Sequence, residues 1–599
     1  MPNQSTFTAV VHERAAQLAD RVAHVELRDR GLPRELTYGE MDRQARRIAS
    51  VLQDRGATGA PVLLLYASSA EFLTAYAACL YAGAVAVPSP LPGGERARRT
   101  DRVTAVLRDT GAHLVLTERE HAPAVSRWLA ETLVDGVSCL ATDLPGLGDA
   151  DAWVPVRTRP DDLAFLQYTS GSVSDPRGVM ISHRNLMHNQ MLLQQVLRTT
   201  SDDRFGGWLP HFHDMGFIAH LLHPLWLGST SVQMQPASFV KRPVRWLRAI
   251  EEYGVTVGGG PNFCYDLCVD RVRDEDIAGL DLSHWRLALN GAEPVRQTTM
   301  AAFAERFAPA GLRPETMYPC YGLAETTLLV AAGTPGALHH GMRADAAALE
   351  EGRLEPAAPA KPGRTLVSCG AAAGYDLRIV DPEAGSELPA GAVGEIWLRG
   401  DSVASGYWRR PAETEHTFRA ALDGETGYLR TGDLGTVDDG KLYVTGRVKE
   451  LIILNGRNVY PQDIEWAVRG ISPALGSGVG AAFSVDAGGT EQLVVVQEVR
   501  PADSDAENRR ALARRIVETV GAEFGIPVAN VLLVRAGVIG RTTSGKIQRT
   551  LMRRMFLRGE LRADHELLDP AVKAMVRARD LALGEDLLTP EPAGGGGRW

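Results

Sequence analysis

Apolar positions in the first part of the chain gather into short unbroken runs, with stretches of helical period between them. Val62-Leu-Leu-Leu-Tyr66 carries no charge, the pattern of a strand buried on both faces. Residues 70–81 then predict a helix that stops at Gly83, and Ala84-Val-Ala-Val87 predicts a second buried strand, broken by Pro88 and Pro90. Comparable runs recur at 112–116, 163–167, 231–234 and 287–290. Strands alternating with helices predict largely parallel sheets covered by helices. From Gly370 the period shortens to two. Tyr375-Asp-Leu-Arg-Ile-Val380, Gly394-Glu-Ile-Trp-Leu-Arg399 and Lys441-Leu-Tyr-Val-Thr445 predict half-exposed antiparallel strands. After Gly446 a smaller alternation resumes, with strands expected at 451–454, 479–483 and 493–498 and a long helix over 508–523. The expected fold class is α/β: a large N-terminal domain of doubly wound mixed sheets over 1–445, including a small β-rich subdomain at 370–445, and a small α/β C-terminal domain over 451–585.

Two stretches fit neither pattern. Residues 337–364 are rich in Ala, Pro, Gly and charge, with Met342, Leu349 and Leu354 as sparse anchors, and are expected to form an irregular surface excursion. The tail 586–599, with Gly594-Gly-Gly-Gly597, is expected to be disordered. A chain of 599 residues exceeds what one core holds, so length also predicts several units. Its 45% apolar and 23% charged content is that of a soluble globular protein, and a net charge of −9 gives no reason to expect nucleic acid as a partner. Six cysteines without a CxxC pair argue for a reducing compartment. The chain shows no basic-then-apolar leader and no apolar run near the ~18 residues of a membrane helix. Membrane insertion is therefore not expected, and the expected location is the cytoplasm.

Candidate chemistry concentrates in six segments. Tyr168-Thr-Ser-Gly-Ser-Val-Ser-Asp-Pro-Arg-Gly178 follows an apolar run and precedes a helix start near Ser182. Hydroxyls on Thr169, Ser170 and Ser172 crowd around Gly171, and Arg177 adds a positive charge. A strand, a glycine- and hydroxyl-rich turn and a helix start gather backbone N–H groups around phosphate oxygens, although the loop alone is also an ordinary surface turn. Asn290-Gly-Ala-Glu-Pro294 offers Gly291, Ala292 and Glu293 where a flat base can lie against the backbone. Tyr318-Pro-Cys-Tyr-Gly-Leu-Ala-Glu-Thr326 places Tyr321 to stack on a purine and Glu325 to hold Mg²⁺ through a hard carboxylate oxygen, with Gly322 between them. Tyr428-Leu-Arg-Thr-Gly-Asp-Leu434 presents Asp433 on a turn, suited to ribose hydroxyls. Gly446-Arg-Val-Lys-Glu-Leu451 sits where the larger unit gives way to the smaller, and Gly540-Arg-Thr-Thr-Ser-Gly-Lys-Ile-Gln-Arg549 puts Lys546 on a glycine-flanked turn.

In this order, from residue 10 to residue 580, the segments resemble the adenylate-forming superfamily of acyl-CoA synthetases, amino-acid adenylation domains and luciferases. The narrower resemblance is to the fatty acyl-AMP ligases. It is carried by Trp208-Leu-Pro-His-Phe-His-Asp-Met-Gly216, Gly260-Pro-Asn-Phe-Cys-Tyr-Asp-Leu-Cys268, Tyr318 to Glu325, and Asn455-Gly-Arg-Asn-Val-Tyr-Pro-Gln-Asp-Ile-Glu465. The excursion matches an insertion typical of those ligases, at 336–366. The resemblance implies that a fatty acid carboxylate attacks the α-phosphate of ATP, with Mg²⁺, to give an acyl-adenylate and pyrophosphate. The acyl group then passes to the phosphopantetheine of an acyl carrier protein. It also implies that Thr169, Ser170, Gly171, Ser172 and Arg177 hold phosphates, that Glu325 binds Mg²⁺, and that Asp433 and Arg447 bind ribose. Gly291, Ala292 and Glu293 would enclose adenine with Tyr321 and Gly322, and Lys546 would bridge the carboxylate and the α-phosphate. Lys449, within 446–450, matches the hinge about which a mobile C-terminal domain swings. The acyl chain is expected beside Phe212, Met215, Gly259 and Phe263, with His213 on the same wall as a catalytic candidate alongside Lys546 and Glu325. Val173 departs from the family's usual threonine, and Arg177 from its common lysine.

Other readings carry less. Gly540-x-x-x-x-Gly545-Lys546 nearly matches a Walker loop, but Ile547 lacks the hydroxyl for Mg²⁺. His211, His213 and Asp214 suggest a metal site, yet no third neutral ligand is evident. Cys264 and Cys268, at helical spacing, are expected to pack in a core. A binding protein that lost turnover would have no need of Lys546, Glu325, Asp433 and Arg447 together. Within the enzyme class the rivals are an acyl-CoA ligase and an adenylase for an aryl or branched acid.

Overall fold

The computed structural model describes residues 6–576 except 94–96, 133, 170–175, 362, 455–456, 477, 488–489, 501–505 and 543–544. The tail at 586–599 and the loop residues Ser170, Gly171, Ser172 and Val173 lie outside the described residues. The chain divides into two compact units, Met1–Ala346 with Arg353–Thr445 and Ala347–Gly352 with Gly446–Trp599.

In the first unit the apolar runs become the strands of two sheets. The smaller runs in the order Ser138–Ala141, Leu114–Thr117, Pro61–Leu65, Val85–Ser89, Leu163–Tyr168, Gly178–Ser182, and only its last pair is antiparallel. The larger has nine strands. Its middle, Met317–Gly322, Leu287–Asn290, Val257–Gly260, Arg204–Gly207, Thr230–Met234 and Val22–Leu27, is parallel throughout.

The helix Ser69–Ala82 is buried along its whole length, as its sequence requires: SAEFLTAYAACLYA has no charged stripe to turn outward. It packs against Val22–Leu27 of the larger sheet and against Pro61–Leu65 and Val85–Ser89 of the smaller. Carboxylates meet its N-terminus, where the helix dipole favours negative charge. The Ser69 N–H and the Ser68 hydroxyl donate to Glu26 at 2.8 and 2.7 Å, and the Ser68 N–H donates to Glu118 at 2.9 Å. Phe72 and Tyr76 on this helix meet Phe217 edge-on, with ring centroids 5.3 and 4.8 Å away, and Phe165 lies 5.1 Å from Phe217. These contacts fix the π-helical segment Met215–Leu222 against the helix and the smaller sheet. Cys264 and Cys268 are buried in the core of this unit.

The alternating segments form an antiparallel sheet of Asp376–Val380, Gly394–Arg399, Glu425–Asp438 and Ala420–Leu422, to which Lys441–Arg447 adds. The expected irregular excursion is corrected. Gly341–Asp345 and Gly363–Val367 pair as an antiparallel hairpin, and a short helix, Ala346–Glu350, follows the first strand. Its buried anchors include Ala344 and Ala348 beside Leu349 and Leu366. Alanine gives little apolar contrast in a sequence, yet it fills a close contact as well as a larger residue fills a loose one.

The second unit holds the sheet Gly480–Ala487, Thr490–Val499, Asn530–Arg535, His565–Leu567, covered by Ala506–Phe524. Within this unit Arg457 donates to both carboxylate oxygens of Glu350, at 2.7 and 2.8 Å.

Four histidines of the first unit are buried: burial pushes His24 and His223 down to about 3, and His183 and His220 down to about 4. These values lie below the ordinary ~6.5, so the unfolded chain binds more protons than the folded one as pH falls from about 6.5 toward about 4. Stability contributed by these groups is complete above that window and is lost on descending through it. The midpoint of urea unfolding should therefore fall between about pH 7.5 and about pH 5. A midpoint that rises over this range would contradict the assignment.

Candidate active site

Parallel strands bring their C-terminal ends to one edge, so the loops after Gly207, Gly260, Asn290 and Gly322 leave the larger sheet on the same side. The first of these loops is fastened to the smaller sheet. Gln167 Nε2 donates to the Phe212 carbonyl at 2.9 Å, and His211 Nε2 lies 3.1 Å from the Tyr66 carbonyl. Gln167 is two residues before Thr169, so the candidate phosphate loop begins at the same edge. Arg102 donates to the Thr169 carbonyl at 2.7 Å. Nothing in its own helix, Ala97–Thr110, marks it out from a solvated arginine.

On the other side of the loop, Arg177 Nε pairs with Glu413 at 2.8 Å, and its guanidinium lies 5.5 Å from the centre of the Tyr407 ring. The Tyr407 hydroxyl donates to the Glu325 carboxylate at 2.8 Å. Burial, and then the Glu325 charge, push this phenol up, so it remains a donor. Backbone bonds fix the strap that carries Tyr407. Met180 N–H donates to the Gly406 carbonyl at 2.9 Å, Trp408 N–H to Gly178 at 2.7 Å, and Ala404 N–H to Glu325 at 2.9 Å.

Strain is stored next to Glu325. Thr327 has φ 68° and ψ −63°, and the Leu328 N–H donates to the Thr326 carbonyl at 2.8 Å, a tight γ-turn that a β-branched residue adopts only when held. The Thr327 hydroxyl donates to the Ser402 carbonyl at 2.9 Å, which holds it. Ala292 is a second non-glycine residue at positive φ, 70°. Each such residue costs on the order of 1–3 kcal/mol.

Tyr321 donates to Asp433 Oδ2 at 2.8 Å, and the buried Asp433 is oriented by its own N–H, which donates to Thr431 Oγ1 at 3.1 Å. Gly291 lies so close to Cys320 that a Cβ would come within 2.8 Å of its sulfur. Glu293 accepts from Asn262 Nδ2 at 3.0 Å. Glycine is also required at Gly322, where a Cβ would reach the Leu328 carbonyl oxygen at 1.9 Å. Thus Thr169, Arg177, Gly291, Ala292, Glu293, Tyr321, Gly322, Glu325 and Asp433 share one rim of the first unit. Arg447, Lys449 and Lys546 belong to the second unit, where Arg447 and Lys449 are exposed. Lys546 sits on a hairpin closed by Thr542, whose N–H donates to the Lys546 carbonyl at 2.8 Å and whose Oγ1 accepts the Lys546 N–H at 3.0 Å.

The two histidines of the 208–214 loop diverge. His211 packs on Phe72, ring centroids 4.4 Å apart, while His213 Nδ1 is 2.7 Å from Asp214 Oδ1. Phe212 is half-buried, and Met215 opens the π-helical segment. Trp208 stacks on Phe239 at 4.3 Å and meets Phe263 edge-on at 5.3 Å. Gly260 faces this aromatic wall, since a Cβ there would approach Trp208 to 2.9 Å. Gly259 does not: with φ 154°, its Cβ would meet the Leu289 carbonyl oxygen of the adjacent strand at 2.1 Å.

The AMP-binding enzyme family matches residues 11–408 of this chain. The chain is 42% identical to the medium-chain-fatty-acid–[acyl-carrier-protein] ligase JamA of Moorena producens, over 88% of this chain and 90% of that protein. It is 33% identical to the medium-chain-fatty-acid–[acyl-carrier-protein] ligase TtuA of Teredinibacter turnerae, over 93% and 94%. A solved structure of the fatty acyl-adenylate ligase of L. pneumophila, in complex with acyl adenylate and pyrophosphate, superposes with a TM-score of 0.73 at 35% identity, covering 94% of this chain and 98% of that one.

Gly259→Ala should lower stability by about 1–3 kcal/mol in urea unfolding, because it adds strain and a backbone clash inside the sheet. An alanine variant as stable as the parent would show that the strand pair can part without cost.

Proposed function

We propose, from the premise that this chain belongs to the AMP-binding enzyme family, that it is a fatty acyl-AMP ligase serving an acyl carrier protein. It condenses a medium- or long-chain fatty acid with ATP, releases pyrophosphate, and passes the acyl group to a phosphopantetheine thiol. The observation that supports this best is the pair of carboxylates held on one rim by phenols, Glu325 by Tyr407 and Asp433 by Tyr321, at the end of parallel strands. Such an edge gathers a nucleotide's sugar and phosphates.

In this reading Asp433 and Arg447 receive the ribose hydroxyls. Tyr321 lies along adenine with Gly291, Ala292 and Glu293, and Thr169, Ser170, Gly171, Ser172 and Arg177 take the β- and γ-phosphates. A half-buried carboxylate beside a phosphate loop suits Mg²⁺, which takes one or two protein carboxylates and keeps phosphate oxygens as its other ligands. Glu325 would hold it, and the ion would supply neutralisation of phosphate charge. The fatty acid carboxylate oxygen forms a bond to the α-phosphorus as the bond to the bridging oxygen of pyrophosphate breaks. Lys546 offsets the charge shared by these oxygens. His213, Phe212, Met215 and Phe263 border the acyl chain, whose burial stabilises the complex by about 0.8 kcal/mol per CH₂. Rotation about 446–450, with Lys449 as its pivot, then exchanges adenylation for attack of the thiol sulfur on the acyl carbonyl, which forms the thioester as the acyl–phosphate bond breaks and AMP leaves. Among the described residues no helix is long and apolar enough to cross a membrane. Six cysteines without a CxxC pair suit a reducing compartment, and on that ground we place the reaction in the cytoplasm.

Lys546→Ala should leave unfolding unchanged and slow fatty-acid-dependent pyrophosphate release by about 10²–10³ or more. Release near the parent rate would remove Lys546 from the site. With ATP, Mg²⁺ and dodecanoate, product mass should show acyl transfer to a phosphopantetheinylated carrier protein and little to free CoA, because the carrier's tether raises effective concentration without nucleotide contacts. Efficient acyl-CoA formation would replace the carrier-protein reading with a CoA ligase.

A further inference from the structure

Both ends of the Lys546 hairpin are anchored in buried carboxylates. At its start, Glu498 accepts the N–H groups of Gly537 and Ile539 at 2.8 and 3.1 Å. At its end stands Arg549, between two carboxylates. Its Nε and one terminal nitrogen donate to the two oxygens of Glu465, each at 2.7 Å, and its other terminal nitrogen donates to Glu450 at 2.5 Å. Glu465 is buried and also accepts the Ala482 N–H at 2.9 Å, so it is fixed to the sheet of the second unit. Glu450 closes the short turn Val448–Glu450, directly after Lys449. Between Lys546 and Arg549 the chain has little freedom. Gln548 N–H donates to the Gly540 carbonyl at 2.9 Å, and Arg541 bridges to Ile547.

One bidentate carboxylate already satisfies the charge and fork geometry of an arginine. A second carboxylate brought into the same partly desolvated site adds a desolvation cost that fold stability does not require. What the second partner adds is connection: Glu450, the residue after the pivot, is joined to the hairpin of the candidate catalytic lysine.

We propose that Arg549 is a positioning residue that locks Glu450, the residue directly after the pivot, and the Lys546 hairpin into one rigid body. Hinge rotation is then confined to the residues before Glu450, and Lys546 moves with the hinge without slack. This inference rests on the ligase reading and on Lys546 acting at the α-phosphate.

The test uses the full-length protein with ATP, Mg²⁺ and dodecanoate, comparing the parent with Glu450→Gln and Arg549→Lys. Glutamine keeps the size of Glu450 and removes its charge, while lysine keeps a charge for Glu465 but is a single point donor. Each variant should form acyl-adenylate with kcat lowered about tenfold to a hundredfold, the loss expected when a reacting group is misplaced by about 1 Å. KM for ATP and for the fatty acid should stay within about twofold of the parent, and thermal unfolding should be unchanged for Glu450→Gln. The double variant should lose no more than either single one, because both remove the same link. The proposal is overturned if Glu450→Gln keeps the parent kcat, if its loss is matched by lowered thermal stability, or if the two losses multiply. Should Arg549→Lys fail to fold, Glu450→Gln decides alone. A parent protein that forms no adenylate would instead remove the ligase reading on which the inference stands.

Discussion

A helix with no exposed face has to be enclosed, and the enclosure of Ser69–Ala82 determines the rest of the first unit. One sheet cannot cover a cylinder on all sides, so two are needed, and the helix packs on strands from each. Its aromatic residues Phe72 and Tyr76 then meet Phe217 and draw the segment after the 208–214 loop into the same core. Its N-terminus meets Glu26 from the larger sheet and Glu118 from the end of a strand in the smaller one. Apolar burial on the helix sides and charge at its end thus register the two sheets against each other.

That registration places the site. The parallel strands of each sheet end along an edge, and Gln167 and His211 bond across to join the two edges. Once they are joined, Thr169 and Arg177 from one sheet and Tyr321, Glu325 and Asp433 from the larger sheet and its antiparallel neighbour share a rim. The strained turn at Thr327 and the positive φ of Ala292 occur on this rim, where the surrounding bonds over-determine the backbone. A site of this kind supplies little covalent chemistry. Its contribution is placement of charge, which fits a reaction that exchanges one phosphate oxygen for another.

Much of this was legible in the sequence because burial on both faces leaves an unmistakable pattern. The helix expected over 70–81 is Ser69–Ala82, and the one expected over 508–523 is Ala506–Phe524. The hairpin within 337–364 leaves no clear pattern in the sequence because its alanine anchors carry little hydrophobic contrast. Other residues leave no local signal because their significance depends on a distant partner: Tyr407 is 82 positions from Glu325, and Arg549 is 99 from Glu450. A tyrosine or arginine in such a stretch looks like any other until the fold supplies its partner. Gly259 shows the converse case. It is expected beside the acyl chain, yet it faces a neighbouring strand, and the next glycine, Gly260, faces the aromatic wall.

The central claim is that this rim activates a fatty carboxylate as its adenylate. Its most direct test is intact-mass detection of acyl-AMP after mixing the protein with ATP, Mg²⁺ and straight-chain acids from acetate to palmitate, one at a time. The account predicts an adenylate whose yield rises with chain length until the apolar wall beside Trp208 and Phe263 is covered, following the ~0.8 kcal/mol gained per buried CH₂, with an equal amount of pyrophosphate. Adenylate formed equally from acetate and dodecanoate, or from none of the acids, would contradict it.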